Sequence, residues 1–314
     1  MHLEKILALK EKIIDNLSKV ILGKPEVLEL FIMGLICNGH ILIEDIPGTG
    51  KTILAKSLAA TIDSEFKRIQ FTPDMLPSDI TGVTYYDQEK QKLIFKKGPV
   101  FANIVLADEI NRATPKTQSA LLEGMEERQI TVDGITHPLP DVFLVIATQN
   151  PIEYAGTNKL PEAQLDRFLI KITIGYPQEN IEKQIIADQN YSHPINALNK
   201  AISLNDVGFL QEEIKKVHVS ENVMNYIIQI IDKTRHNENI VLGASPRGSL
   251  ALYRLGQCRA AFKNRDYVTP DDIKYVCVPV LAHRLILNPS FRLQTKELSE
   301  FIKELVFQVE IPGN

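Results

Sequence analysis

Pro47-Gly48-Thr49-Gly50-Lys51-Thr52 sets two glycines, an ammonium and a hydroxyl in six consecutive residues, with Ile53 next. Glycines let a backbone approach an anion closely, and the N–H groups opening a helix point toward negative charge. In such a loop Lys51 reaches the β- and γ-phosphates of a nucleotide, and the Thr52 hydroxyl ligates Mg²⁺. The general pattern G-x-x-x-x-G-K-[ST] is incomplete, because Asp45 occupies the first glycine position. The competing reading is a glycine turn followed by a chance Lys-Thr pair. An apolar run, Ile41-Leu42-Ile43, ends just before the loop, and Leu54, Leu58 and Ile62 share one helical face after it. That strand–loop–helix setting is what a phosphate loop requires.

A second group of residues ends another apolar run. Ile104-Val105-Leu106-Ala107 delivers Asp108 and Glu109, which places both carboxylates at the C-terminal edge of a sheet, where open α/β sheets bind ligands. Asp108 is expected to hold Mg²⁺ through water. Glu109 is expected to orient and polarise the attacking water, since a carboxylate accepts two hydrogen bonds. A strand that merely ends in solvated acids is the alternative, and it loses weight beside the Lys51 loop.

Val142 to Ala147 is a third such run, tipped by Thr148-Gln149-Asn150-Pro151. If it lies beside the Ile41 strand, Asn150 reaches between the γ-phosphate and the water held by Glu109. Arg167 precedes the final strand, Leu169 to Ile172, on the far side of the sheet. That position is too distant for its own nucleotide but suited to a neighbour's, where an arginine neutralises transition-state charge. The competing reading is an Asp166–Arg167 surface pair worth about 0–1 kcal/mol. Arg247, in Ser245-Pro246-Arg247, opens a later helix and is expected to touch phosphate there. Its alternative is a solvated arginine at a helix start.

The elements that must position these groups follow from hydrophobic spacing. Leu3 to Val20 reads as an amphipathic helix and Glu26 to Cys37 as another. Short β-type runs (Ile41, Lys67, Asn103, Val142 and Leu169 segments) then alternate with helices, which indicates a mostly parallel sheet covered on both faces. Val83-Thr84-Tyr85-Tyr86 with Lys92-Leu93-Ile94-Phe95 reads as one inserted hairpin. Thr131-Val132-Asp133-Gly134-Ile135-Thr136 carries the Asp-Gly composition of a second. Thr114-Pro115 and Thr269-Pro270 mark helix starts. After about Pro177 the pattern is helical, giving a 1–177 α/β core with an N-terminal helix and a 178–314 helical domain.

Composition excludes several classes. The 314 residues are 44% hydrophobic and 24% charged, as in ordinary globular proteins rather than disordered or disulfide-built ones. A net charge of −4 gives no global attraction to nucleic acid or anionic membrane. Cys37, Cys258 and Cys277 lie far apart in apolar segments, so a disulfide framework or zinc site is not expected. A reducing cytoplasm without a membrane anchor is the simpler expectation.

Together these strings resemble an AAA+ ATPase, and more narrowly the MoxR family, from about Ile21 to Leu287. They are Glu44 to Thr52, Leu76 to Gly82, Ala107 to Ala113, Lys116 to Glu123, Ala147 to Pro151 and Leu160 to Phe168. The resemblance implies a P-loop sheet of order 5-1-4-3-2 with helices on both faces, and a smaller all-α lid. It implies that Lys51, Thr52, Asp108 and Glu109 are Walker residues, Asn150 sensor 1, Arg167 an arginine finger and Arg247 sensor 2. It also implies ATP and Mg²⁺ as cofactors, a homo-oligomeric hexameric ring, a von Willebrand factor A domain partner and a client protein to be remodelled. Two other functions fit parts of the pattern: a nucleic-acid translocating motor, supported by Lys90, Lys92, Lys96 and Lys97, and a nucleotide-dependent switch with little turnover.

Overall fold

The computed structural model describes residues 1–150, 158–189, 194–292 and 297–311; Pro151, the last residue of the Asn150 string, lies outside them. Two helices, α1 (Leu3–Ser18) and α2 (Pro25–Ile36), lead into β1 (Ile41–Glu44) and α3 (Lys51–Thr61). Next come β2 (Phe66–Gln70), the short α4 (Pro77–Thr81) and the hairpin β3 (Gly82–Asp87) and β4 (Lys92–Lys97). β5 (Ile104–Asp108), α5 (Pro115–Glu127), the hairpin β6 (Gln129–Val132) and β7 (Ile135–Pro138), and β8 (Leu144–Gln149) follow. The core closes with α6 (Glu162–Leu165) and β9 (Ile170–Ile172).

The main sheet runs β2-β5-β8-β1-β9, with every neighbouring pair parallel. Counting only its own strands in chain order, this is the expected 5-1-4-3-2 arrangement. Parallel strands buried on both faces alternate their side chains between two cores. Ile41, Ile43, Ile104, Leu106, Leu144 and Ile146 enter one apolar cluster. Leu42, Val105, Ala107, Val145 and Ala147 enter the other, under α5 and the β6–β7 hairpin. Both predicted hairpins form, and they touch: the Phe95 and His137 rings stack with centroids 4.3 Å apart.

Beyond β9 come α7 (Glu179–Gln189), α8 (Leu204–Ile214), α9 (Glu221–Arg235), β10 (Ile240–Leu242), α10 (Pro246–Phe262), α11 (Pro270–Leu281), β11 (Ile286–Leu287), α12 (Pro289–Arg292) and α13 (Leu298–Phe307). This part is not wholly helical: β10 and β11 form a small antiparallel ribbon. The β-branched Ile240-Val241 pair favours extended backbone, and the ribbon ties the end of α9 to the chain after α11. Thr114 and Thr269 do open helices, and Asp272 completes a capping box with Thr269 while pairing with Arg265 at 2.6 and 2.7 Å.

One cluster carries side chains of the sheet, α1 to α3 and the later helices alike. Helix α1 packs against α2, α3, α8 and α10. Its buried Asn16 donates to Thr61 Oγ1 at 2.9 Å and to the Asn199 carbonyl at 2.8 Å. The sheet and the helical part therefore share a common core, not a loose linker.

Candidate functional site

The loop after β1 is shaped by what replaces its first glycine. Asp45 is buried, and its Oδ2 accepts from the backbone N–H of Ile174 at 2.8 Å and Gly175 at 2.7 Å, just after β9. Its Oδ1 accepts from the N–H of Ile46 at 2.8 Å. The carboxylate thus fixes the exit of β1 to the neighbouring strand, a role glycine cannot fill. Gly48 and Gly50 have φ of +85° and +87°, the left-handed region that favours glycine, and no atom lies within 4 Å of where a Cβ would stand. The space over the loop is open, and Gly50 is the N-cap of α3, so the first N–H groups of that helix face it. The Thr49 hydroxyl donates to the Ile46 carbonyl at 3.3 Å, while Lys51 Nζ donates to the carbonyls of Asp45 at 2.6 Å and Ile46 at 3.0 Å. Burial lowers the Lys51 pKa, and the carboxylates of Asp45, Asp108 and Glu109 oppose that shift.

A cavity of about 340 Å³ brings the predicted groups together. Pro47, Gly48, Gly50, Lys51, Thr52 and Ile53 form one wall, and Asp108, Glu109, Thr148, Asn150 and Arg68 the other. The strand order explains the second wall: β5 and β8 are adjacent and parallel, so their C-terminal residues emerge side by side. Thr148 Oγ1 donates to Asp108 Oδ1 at 2.6 Å and accepts from the N–H of Glu109 at 2.9 Å. Glu109 adopts φ +56°, uncommon for a residue with a side chain. Strain of this kind collects at functional sites.

Sequence reasoning missed the groups that hold the acidic pair. Arg68 donates to Asp108 Oδ2 through Nη2 at 2.6 Å and Nε at 3.1 Å. Gln70 Nε2 and Arg112 Nη1 both donate to Glu109 Oε2, at 2.8 and 2.9 Å. Arg68 and Gln70 stand two residues apart on β2 and so share a face; their i, i+2 spacing and the expected neighbouring of β2 and β5 were both available, but not that these two side chains reach across to Asp108 and Glu109.

Among the described residues no group of three or more His, Cys, Asp or Glu side chains is placed to cage a metal. Thr52 and Asp108 nevertheless line the same cavity. One hydroxyl and one carboxylate, completed by phosphate oxygens and water, is the incomplete donor set with which Mg²⁺ binds beside a nucleotide. The residues present fit that ion.

Arg167 and Arg247 are not in this cavity. They line a second one of about 370 Å³ together with Asn38, Gly39 and His40, which precede β1. Because the strands are parallel, this cavity lies at the N-terminal edge of the sheet, opposite the Lys51 loop. The structure therefore does not bring Arg247 to its own loop. Arg167 Nε meets Glu126 Oε2 at 3.0 Å, and Arg247 Nη2 meets Glu126 Oε1. The Asp166–Arg167 pair does not form: Asp166 Oδ1 accepts from Arg284 Nε at 2.9 Å, and Oδ2 from Ser245 Oγ at 2.6 Å. Arg284 is buried and also donates to the carbonyls of Phe168 and Leu169, at 2.6 and 3.2 Å. Burial pulls its pKa down to about 10 against the opposing pull of Asp166.

The parallel sheet order, the phosphate-type loop and the acidic strand end define the AAA+ fold class. The family profile "ATPase family associated with various cellular activities (AAA)" matches residues 40–170, and "AAA lid domain" matches residues 232–305. The uncharacterised protein YeaC of Bacillus subtilis is 47% identical over 96% of this chain and 94% of its own length. Chaperone MoxR1 of Mycobacterium tuberculosis is 41% identical over 88% of this chain and 76% of its own. A crystal structure of a candidate ATPase from Cytophaga hutchinsonii superposes with a TM-score of 0.90 at 41% identity, covering 99% of this chain and 98% of that one. The chain belongs to the MoxR family of AAA+ ATPases.

Proposed function

We propose that this protein hydrolyses ATP at the seam between adjacent copies in a ring, and uses the cycle to remodel client proteins together with a von Willebrand factor A domain partner. The observation that carries this reading is the separation of the hydrolytic groups. Lys51, Thr52, Asp108, Glu109 and Asn150 share one cavity, whereas Arg167 and Arg247 stand together at the opposite edge of the sheet. Four residues of strand at about 3.3 Å each separate the two edges, a gap that one arginine side chain does not span. A second copy turned so that its Arg167 edge meets the Lys51 edge completes the site.

In that arrangement Lys51 and the N–H groups of the loop bind the phosphates, and Glu109 orients the water for in-line attack. Asn150 positions that water against the γ-phosphate. Arg167 and Arg247 of the adjacent copy neutralise charge on the transferred group. When bound, Mg²⁺ supplies neutralisation of the β- and γ-phosphate oxygens. Exposed apolar side chains on the hairpins (Tyr86 at 58%, Leu93 at 70% and Ile135 at 62%) suit a protein client, and the exposed Lys90, Lys92, Lys96 and Lys97 of the same β3–β4 hairpin stand beside Asp87 and Glu89 in a chain of net charge −4, which weakens their pull on a phosphate backbone.

The test mixes Lys51→Ala with Arg167→Ala subunits, each inactive alone. A mixed ring contains seams that pair an intact Lys51 loop with an intact Arg167, so partial recovery of phosphate release is expected. Mixtures that stay as inactive as their components would end the shared-site reading.

A further inference from the structure

Arg68 is a cation already seated where the site must take another. Its guanidinium makes two hydrogen bonds to Asp108 Oδ2, at 2.6 and 3.1 Å, while Asp108 Oδ1 is engaged by Thr148 at 2.6 Å. Asp108 is nearly buried, with 11% of its side chain exposed. Both oxygens are therefore committed within the chain, and Arg68 and Asp108 line the same cavity. Arg68 is also anchored sideways, donating from Nη2 to Gln70 Oε1 at 2.5 Å. Its side chain is 46% exposed, so it has room to leave without breaking the core.

We infer that Arg68 competes with the nucleotide-bound cation for Asp108: the guanidinium paired with this carboxylate must move aside before the carboxylate can face Mg²⁺. A guanidinium and a hydrated divalent cation cannot share Asp108 Oδ2, because like charges at hydrogen-bonding distance repel strongly in a partly desolvated pocket. Arg68 thus raises the Mg²⁺ concentration at which the site fills. Once off Asp108, the guanidinium retains Gln70 Oε1 as its partner, so the residue that grips Glu109 and the residue that covers Asp108 are mechanically linked. This inference rests on the nucleotide-site reading above and adds to it a positioning residue.

The test titrates Mg²⁺ against binding of a fluorescent ATP analogue at fixed, sub-saturating concentration, using the full chain. Arg68→Gln, which leaves a shorter, uncharged amide in place of the guanidinium, is expected to lower the Mg²⁺ midpoint by about three- to tenfold. Arg68→Lys, which keeps the charge but not the fork, is expected to fall between that variant and the wild type. It also decides the matter should the Gln variant not fold. A midpoint unmoved in a folded variant that still binds the analogue would overturn the role of Arg68 alone. A wild-type chain that binds no analogue at any Mg²⁺ concentration would overturn the nucleotide-site reading with it.

Discussion

Arg167 and Arg247 come from different parts of the chain, one just ahead of β9 and one at the start of α10, yet both rest on the single carboxylate of Glu126. Glu126 lies in the last turn of α5, so one side chain bridges the sheet-bearing core and the helical part at the proposed trans-acting edge. All three side chains are about a third to two-fifths exposed, so solvent weakens the pairs. For Glu126→Gln we expect less than about 1 kcal/mol lost in denaturant unfolding, but faster hydrogen exchange at the first turn of α10. Unchanged exchange there would show that Glu126 is not the tie.

Glu109→Gln should bind ATP with near wild-type affinity and release phosphate about 10²- to 10⁴-fold more slowly. The amide keeps the shape and one acceptor, but not the charge that polarises water. Equilibrium binding and phosphate release, measured on the same preparation, check both halves. Turnover at the wild-type rate would remove Glu109 from the reaction.

Asp166→Ala should be much more damaging than its position beside a surface arginine suggests. It strips the counter-charge from Arg284, whose side chain is 2% exposed, and a buried charge left alone costs about 3–5 kcal/mol. The unfolding midpoint in urea should drop accordingly with little change in slope. Arg167→Ala, on a side chain about a third exposed and paired with Glu126 where solvent screens the pair, should leave that midpoint nearly unchanged.

Stability should fall on mild acidification. His40 is buried, its Nδ1 accepting from the Val145 N–H at 3.0 Å, so its proton sits on Nε2 and is donated to the Met125 carbonyl at 3.1 Å. Burial, with Arg128 nearby, lowers its pKa to about 3, and burial beside Arg284 lowers that of His283 well below the usual value. Between the unfolded value near 6.5 and these lowered values, the unfolded chain binds protons that the folded chain refuses. Stability is therefore full above about pH 6.5, and each histidine removes about 1.4 kcal/mol per pH unit below it. Urea unfolding at pH 7, 6 and 5 should show the decline, and His40→Gln should cut its slope to about half, the share of His283 remaining. A flat profile in the wild type would mean that neither ring is held neutral.

What the sequence determined by itself was everything encoded by near neighbours. The loop from Pro47 to Thr52 was legible because left-handed glycines, a preceding apolar strand and a following helix face are contiguous. Asp108 and Glu109 were legible because an apolar run has to end at a sheet edge. The sheet order came with the family resemblance and held. Helices α8 and α13 went unmarked although their signals were present: the Ser203–Asp206 capping box, and Leu298, Phe301, Ile302 and Leu305 at helical spacing.

The tertiary structure decided what depends on which strands and helices meet. Arg68 and Gln70 became part of the site only because their side chains turn across to the acids that end β5, and Asp45 found its purpose only through the N–H groups that follow β9. Arg284 follows α11, and packing of that helix against β9 makes it a buried strut. Arg247 went to Arg167, not to Lys51, because Glu126 and the shared core fix where α10 docks. Those outcomes depend on long-range packing and on charges seeking partners across the fold, and no local spacing in the chain records either.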